Sequence, residues 1–309
     1  MKIRLGYACT PVTIDETASH TLTYSNFKKL GNNGINKLES VIESNFNALE
    51  NILKYNIKND IYFYRMTGEF IPLLTHENVN YDAFKKYKRN FEYIGEIIKE
   101  NNLRVDIHAS QYSILSSTKS SVVESTINIL KNYEKMYKCM KIDSKIVIHV
   151  GSSEYGKKES MKRFIDNFNK LDENLKNKII LENDDKVFNI RNVLKLCENL
   201  NIPMVLDYHH YKINKSNEKI EDYIERIFNT WHSTPKVHFS TPKDKKNKRA
   251  HNDYIDVSDF ITFLEKIKFT NRDFDVMIEA KKKDEALFRL IRELKYKTNY
   301  KIKNTTIYL

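Results

Sequence analysis

An α/β protein built as a closed (β/α)8 barrel is what this sequence predicts. Eight short β-rich runs recur along it, and amphipathic helical patterns fill the intervals between them. A third observation is where the polar residues stand, since in six of the eight runs a His, Glu or Asp follows the apolar stretch near the C-terminal end. Eight strand-helix repeats in about 300 residues suit a closed TIM barrel better than an open sheet, and in such a barrel the strand ends form one rim.

The first run is IRLGYA (3–8) in the N-terminal MKIRLGYACTP, whose apolar stretch is too short for the core of a signal peptide. A helix follows in which Leu38, Val41, Ile42, Leu49, Ile52 and Leu53 fall on one face at a period of 3.6 residues. IYFYRM (61–66) is the second run, and Phe84, Tyr87, Ile94, Ile97 and Ile98 predict one helix after it. RVDIHA (104–109), KIVIHVG (145–151), KIILEN (178–183) and PMVLDY (203–208) come next, with helical patterns after HVGSS and LEND. PKVHFS (235–240) and DVMIEA (275–280) complete the eight before a last helix. No linker, low-complexity segment or shift in composition divides the chain, so one domain over 1–309 is expected. The stretch from about 294 to 309, LKYKTNYKIKNTTIYL, reads as a tail with a terminal helix and strand.

Composition narrows the function classes. A hydrophobic share of 40%, with 12% aromatic, excludes a disordered chain, and no window offers the ~18 consecutive apolar residues of a membrane span. Cys9, Cys139 and Cys197 are odd in number and widely spaced, which implies neither a disulfide framework nor a cysteine zinc site and fits a reducing cytoplasm. A formal charge of +11 favours a polyanion such as nucleic acid. Richness in Lys, Asn and Ile also fits a codon bias toward A and T, so charge alone does not decide.

His108, His149, Glu182, Asp207, His238 and Glu279 close their runs and would converge on the rim. Any one of them could cap a helix or pair with a neighbour. Six polar groups facing one pocket would carry a heavy desolvation cost, which divalent metal ions relieve. Imidazoles and carboxylates without thiolates suit zinc or manganese. In VLDYHHYKIN (205–214), Asp207 reads as an inward ligand. His210 returns to the same pocket from the βα loop, and His209 points elsewhere. His76 in LLTHEN and His251 in KKNKRAHND are loop histidines, which on their own read as solvated. Lys236, two residues before His238, is aimed into the barrel by strand alternation. A lysine beside cations is neutral, paired with carboxylates or covalently modified.

Taken in order, IRLGYAC, HASQY, HVGSSEYGKK, LENDD, VLDYHH, PKVHFS and VMIEAKKKDEAL resemble the ultraviolet damage endonucleases, barrel enzymes related to xylose isomerase and to the apurinic-site endonucleases. The resemblance implies that His108, His149, Glu182, Asp207, His210, His238, His251 and Glu279 hold up to three divalent metal ions. Manganese comes first, with zinc or magnesium as alternatives, and Glu182 bridges two ions. Glu182, Lys236, His238 and Glu279 would carry the catalysis. His76 matches a pocket histidine, and Lys236 a lysine open to carboxylation. Gln111 and Tyr112 match a pair that probes the duplex at the lesion, and Tyr7 an N-terminal aromatic at the lesion pocket. Thr10 and Pro11 depart from the family, where an Asn often stands.

The activity so implied is metal-dependent hydrolysis that nicks DNA immediately 5′ to cyclobutane pyrimidine dimers and 6-4 photoproducts, initiating excision repair. The expected partner is double-stranded DNA containing UV lesions, with no membrane, and the protein is expected to be a cytoplasmic monomer. The run KDKKNKR, Lys243 to Arg249, is either a backbone contact or a solvated loop. An apurinic-site endonuclease, a sugar isomerase or epimerase, and a non-catalytic metal- or DNA-binding barrel remain as alternatives.

Overall fold

The computed structural model describes residues 1–309. Its strands are β1 (Lys2–Ala8), β2 (Phe63–Met66), β3 (Arg104–His108), β4 (Ile146–His149), β5 (Ile179–Glu182), β6 (Met204–Asp207), β7 (Lys236–Phe239) and β8 (Phe274–Ile278). They run parallel in chain order, and β1 pairs with both β8 and β2, so the sheet closes. All eight predicted runs are strands, and Glu279 stands one residue beyond β8. The architecture is a (β/α)8 barrel. No helix is long and apolar enough to cross a membrane.

The helices wrapping the barrel are α1 (Tyr24–Lys29), α2 (Gly34–Lys58), α3 (Ala83–Lys86), α4 (Lys88–Glu100), α5 (Ser120–Met140), α6 (Lys157–Asn169), α7 (Glu173–Lys176), α8 (Ile190–Leu200), α9 (Tyr208–Ile213), α10 (Ile224–Asn229), α11 (Val257–Ile267) and α12 (Lys283–Lys297). The 3.6-residue stripe on α2 is buried as its spacing requires. The single helix expected over Phe84 to Ile98 is instead two, broken at Tyr87 (φ −102°, ψ 25°). Tyr87 donates its hydroxyl to the Glu39 carbonyl of α2 at 3.3 Å, which ties the break to the neighbouring helix. The tail also differs from expectation. After α12 ends at Lys297 come two strands, β9 (Lys301–Lys303) and β10 (Thr306–Tyr308). β10 pairs antiparallel with the lower half of β1, from Lys2 opposite Tyr308 to Arg4 opposite Thr306. Because β2 pairs with β1 only from Gly6 upward, the hairpin covers an edge that would otherwise be open.

Strand alternation sorts side chains into two cores. Ile3, Leu5, Tyr64, Val105, Ile146, Leu181, Leu206, Val237 and Val276 face outward into a continuous layer beneath the helices. Val147, Ile180 and Val205 face inward, as do Ala8, Phe63 and Met277. Gly6 is required inside, because a Cβ there would meet the Phe63 carbonyl oxygen at 2.1 Å.

Below the apolar layer the interior is charged. Asp275 accepts from Arg4 Nε and Nη2 at 2.6 and 2.7 Å and from Arg104 Nη1 at 2.8 Å. Asp106 accepts from Lys236 Nζ at 2.9 Å and from the Lys145 backbone N–H at 3.1 Å. These groups form the floor of the barrel, opposite the rim.

Candidate metal centre

Inward parity at the top of each strand brings the titratable residues together. Glu182 is the hub, its side chain 1% exposed. Its Oε2 lies 2.7 Å from His108 Nε2, 3.2 Å from His238 Nδ1 and 4.0 Å from His149 Nε2, while Oε1 lies 3.4 Å from His210 Nδ1. Glu279 Oε1 is 3.3 Å from His238 Nδ1, and its Oε2 is 4.0 Å from His251 Nδ1. Three overlapping groups have ligand atoms within 4.8 Å of one another: His108, Glu182 and His238; Glu182, Asp207 and His210; Asp207, His238 and Glu279. Glu182, Asp207 and His238 each belong to two groups.

His210 is not on a loop, as expected, but on α9. Asp207 is the N-cap of that helix, and its Oδ1 accepts the His210 backbone N–H at 2.7 Å. One carboxylate thus shapes the turn and leaves Oδ2 facing the cluster, 3.6 Å from His210 Nδ1. His209 is buried, belongs to none of the three groups and sits edge-on to His251 at 5.4 Å. His251 reaches the rim because a bridge to Pro242 folds its loop back.

The electrostatics favour cations. Burial pushes His149 and His238 below the usual histidine range, toward the neutral form that ligates metal. Burial, and then the Glu182 and Glu279 carboxylates, push Asp207 well above its usual range. A cation would reverse that shift. His149 Nδ1, Asp207 Oδ2 and both ring nitrogens of His238 are buried without hydrogen-bond partners. Unpaired buried polar atoms are costly, and ligation would satisfy those facing the cluster. The residues therefore fit divalent cations.

Two charged residues escaped sequence reasoning, one at the rim and one on the floor beneath it. Arg65 on β2 pairs with Glu279 and, against the cost of burial, holds that carboxyl low. Asp106, two residues before His108, takes the Lys236 ammonium. Burial works against its ionisation, but Lys236 and Arg104 draw Asp106 down to about 2. Lys236 thus pairs with a carboxylate in this structure, and it belongs to none of the ligand groups.

Tyr7 requires a correction. It faces outward from β1, is 0% exposed and donates to Asn56 Oδ1 of α2 at 2.8 Å, so no lesion contact falls to it in this structure. His76 lies apart from the ligand groups, stacked on Tyr24 at 3.9 Å. It lines a cavity of about 520 Å³ that Ser110 and Ser113 also line. Gln111 and Tyr112 are exposed on the loop after β3, Tyr112 by 75%. Thr10 turns toward Thr17 within its own loop, their Oγ1 atoms 3.4 Å apart.

The family described as UV-endonuclease UvdE matches residues 3–307. A UV DNA damage endonuclease of Bacillus cereus (strain B4264) is 38% identical over 301 residues, covering 95% of each chain. Its counterpart in Bacillus anthracis (strain A0248) is 36% identical over the same length. The crystal structure of SacUVDE superposes with a TM-score of 0.88 at 32% identity, over 95% of this chain and 98% of that one. Endonuclease IV from Thermus thermophilus, at TM-score 0.59 and 12% identity over 96% of this chain and 100% of that one, shares the fold.

Proposed function

Since the chain belongs to the UV-endonuclease UvdE family, we propose that it nicks duplex DNA immediately 5′ to cyclobutane pyrimidine dimers and 6-4 photoproducts, leaving a 3′-hydroxyl and a 5′-phosphate and opening excision repair. The observation that carries this reading is the set of three overlapping ligand groups on the rim, joined through Glu182. His108, His149, Glu182, Asp207, His210, His238, His251 and Glu279 would hold up to three divalent cations, manganese in first place. Bound there, the cations would supply Lewis acidity for water and for the charge on the phosphodiester. The chain's own part is to keep the His149 and His238 imidazoles neutral, to hold Glu279 ionised against Arg65 and to present the ligands together. Exposed lysines from Lys243 to Lys248 face the solvent as a surface for the DNA backbone, whereas Arg249 is engaged by Asp185. Three free cysteines support a reducing, cytoplasmic setting, and the protein would act as a monomer.

Incubation with irradiated, abasic and undamaged duplexes in manganese tests the reading. Nicking 5′ to the photoproduct is expected. Nicking confined to the abasic duplex would reassign the protein to apurinic sites, and no nicking of any duplex would end the nuclease reading.

Lesions stack poorly, so a dimer is extruded at lower cost than intact bases. Gln111 and Tyr112, three and four residues beyond His108, would fill the gap left behind. Truncating both to Ala is expected to spare metal content and to lower the preference for damaged duplex by about tenfold to a hundredfold, the worth of one stacked base. Binding to both duplexes in chelator decides it, and an unchanged preference would place lesion reading elsewhere.

A further inference from the structure

Tyr155 combines three properties that its own fold does not explain. It is 78% exposed, although it lies in the loop that follows the His149 strand on the rim. It is the third residue of a tight turn closed by the Gly156 N–H donating to the Ser153 carbonyl at 2.7 Å. Its φ is +60°, the left-handed region that glycine or asparagine occupies at low cost and a bulky aromatic does not. No aromatic ring stacks on it and no side chain bonds its hydroxyl. A strained, solvent-facing tyrosine at a turn tip stabilises nothing that glycine would not, and outliers of this kind cluster where a ligand is bound.

The loop is held rigidly against the one that carries Tyr112. Thr118 Oγ1 donates to Glu154 Oε2 at 2.6 Å. Arg163 of α6 clasps both loops, its Nε donating to the Ser116 carbonyl at 2.8 Å and its Nη2 to the Glu154 carbonyl at 2.6 Å. Gly151 allows the approach, since a Cβ there would lie 2.2 Å from Ile114 Cγ2 and 2.7 Å from Ser116 Oγ. The two most exposed aromatics of the rim loops, Tyr112 and Tyr155, are thus set on one cross-braced platform, and the exposed Lys157 and Lys158 follow directly.

We propose that Tyr155 is a second aromatic probe of the duplex, stacking on a base or deoxyribose beside the lesion while Tyr112 fills the extrusion site. The platform spends little backbone ordering entropy on binding, because its loops are already pinned. The proposal rests on the reading of the protein as a UV-lesion endonuclease, and its test separates the two.

Affinities for a duplex carrying one cyclobutane dimer and for its undamaged counterpart are measured in chelator, with thermal melting, for the wild type, Tyr155→Phe and Tyr155→Gly. The wild type should prefer the dimer, and Tyr155→Phe should match it. Tyr155→Gly should lose about tenfold on the dimer duplex while melting no lower than the wild type, since glycine relieves the backbone. Wild-type preference with undiminished binding by Tyr155→Gly overturns the proposal and leaves the lesion reading standing. Equal losses on both duplexes, or a lowered melting temperature, also overturn it, as a generic or a structural role. A wild type without preference overturns both.

Discussion

Glu182→Gln should fold like the wild type, bind less metal and lose about two to three orders of magnitude in nicking rate, the scale felt when one charged group is removed from a preorganised site. The side chain is buried and central, with Oε2 against His108 and His238 and Oε1 toward His210. An amide has the same shape and keeps one acceptor, so packing is spared. What disappears is the negative charge that two of the three ligand groups share. The amide nitrogen then faces imidazoles, which accept a proton where the carboxylate would have faced a cation. Metal content by elemental analysis and single-turnover nicking check this outcome. A variant with full metal and normal turnover would remove Glu182 from its bridging role.

Asp106→Ala should cost about 3–5 kcal/mol of stability, because it leaves Lys236 buried as a cation with no counter-charge. Lys236 is 1% exposed, and Asp106 is its carboxylate partner at 2.9 Å. Burial lowers the Lys236 pKa, and loss of Asp106 would lower it further. Replacing both, as Asp106→Ala with Lys236→Met, should recover most of the loss, since a buried pair exchanged for apolar groups is often close to neutral. Urea unfolding of the two singles and the double measures the coupling. A double variant as unstable as the sum of its parts would show that the pair does not act as a unit.

How far this was legible in the sequence depended on the range of the physics involved. Strand runs and the α2 stripe are local patterns, and all of them appear in the structure. That six strand ends would meet followed from barrel closure: His108, Glu182, Asp207, His238 and Glu279 stand in the observed groups with His210 from α9, while His149 lies outside them, 4.0 Å from Glu182. Alternation also pointed Lys236 inward. Its partner Asp106 lies 130 residues away, and their meeting depends on the stagger between β3 and β7, which no single strand encodes. Tyr7 shows the same limit. In β1 the inward positions are Gly6 and Ala8, so Tyr7 faces α2, but that parity is fixed only by pairing with Phe63 and Met277. The α9 turn was readable in hindsight, because Asp207 is a good N-cap residue followed by a helix-length run. The break at Tyr87 has no glycine or proline to announce it.

The hairpin at the end of the chain carries a consequence for the order of events during synthesis. β1 is made first, yet two of its partners, Phe274–Ile278 and Thr306–Tyr308, are made last. At about 5–20 residues per second, one flank of β1 waits roughly fifteen to fifty seconds for its neighbours to leave the ribosome. Through that interval an apolar strand has an unsatisfied edge, the condition under which nascent chains pair with one another. Raising chaperone supply during synthesis should therefore raise the soluble yield of this protein.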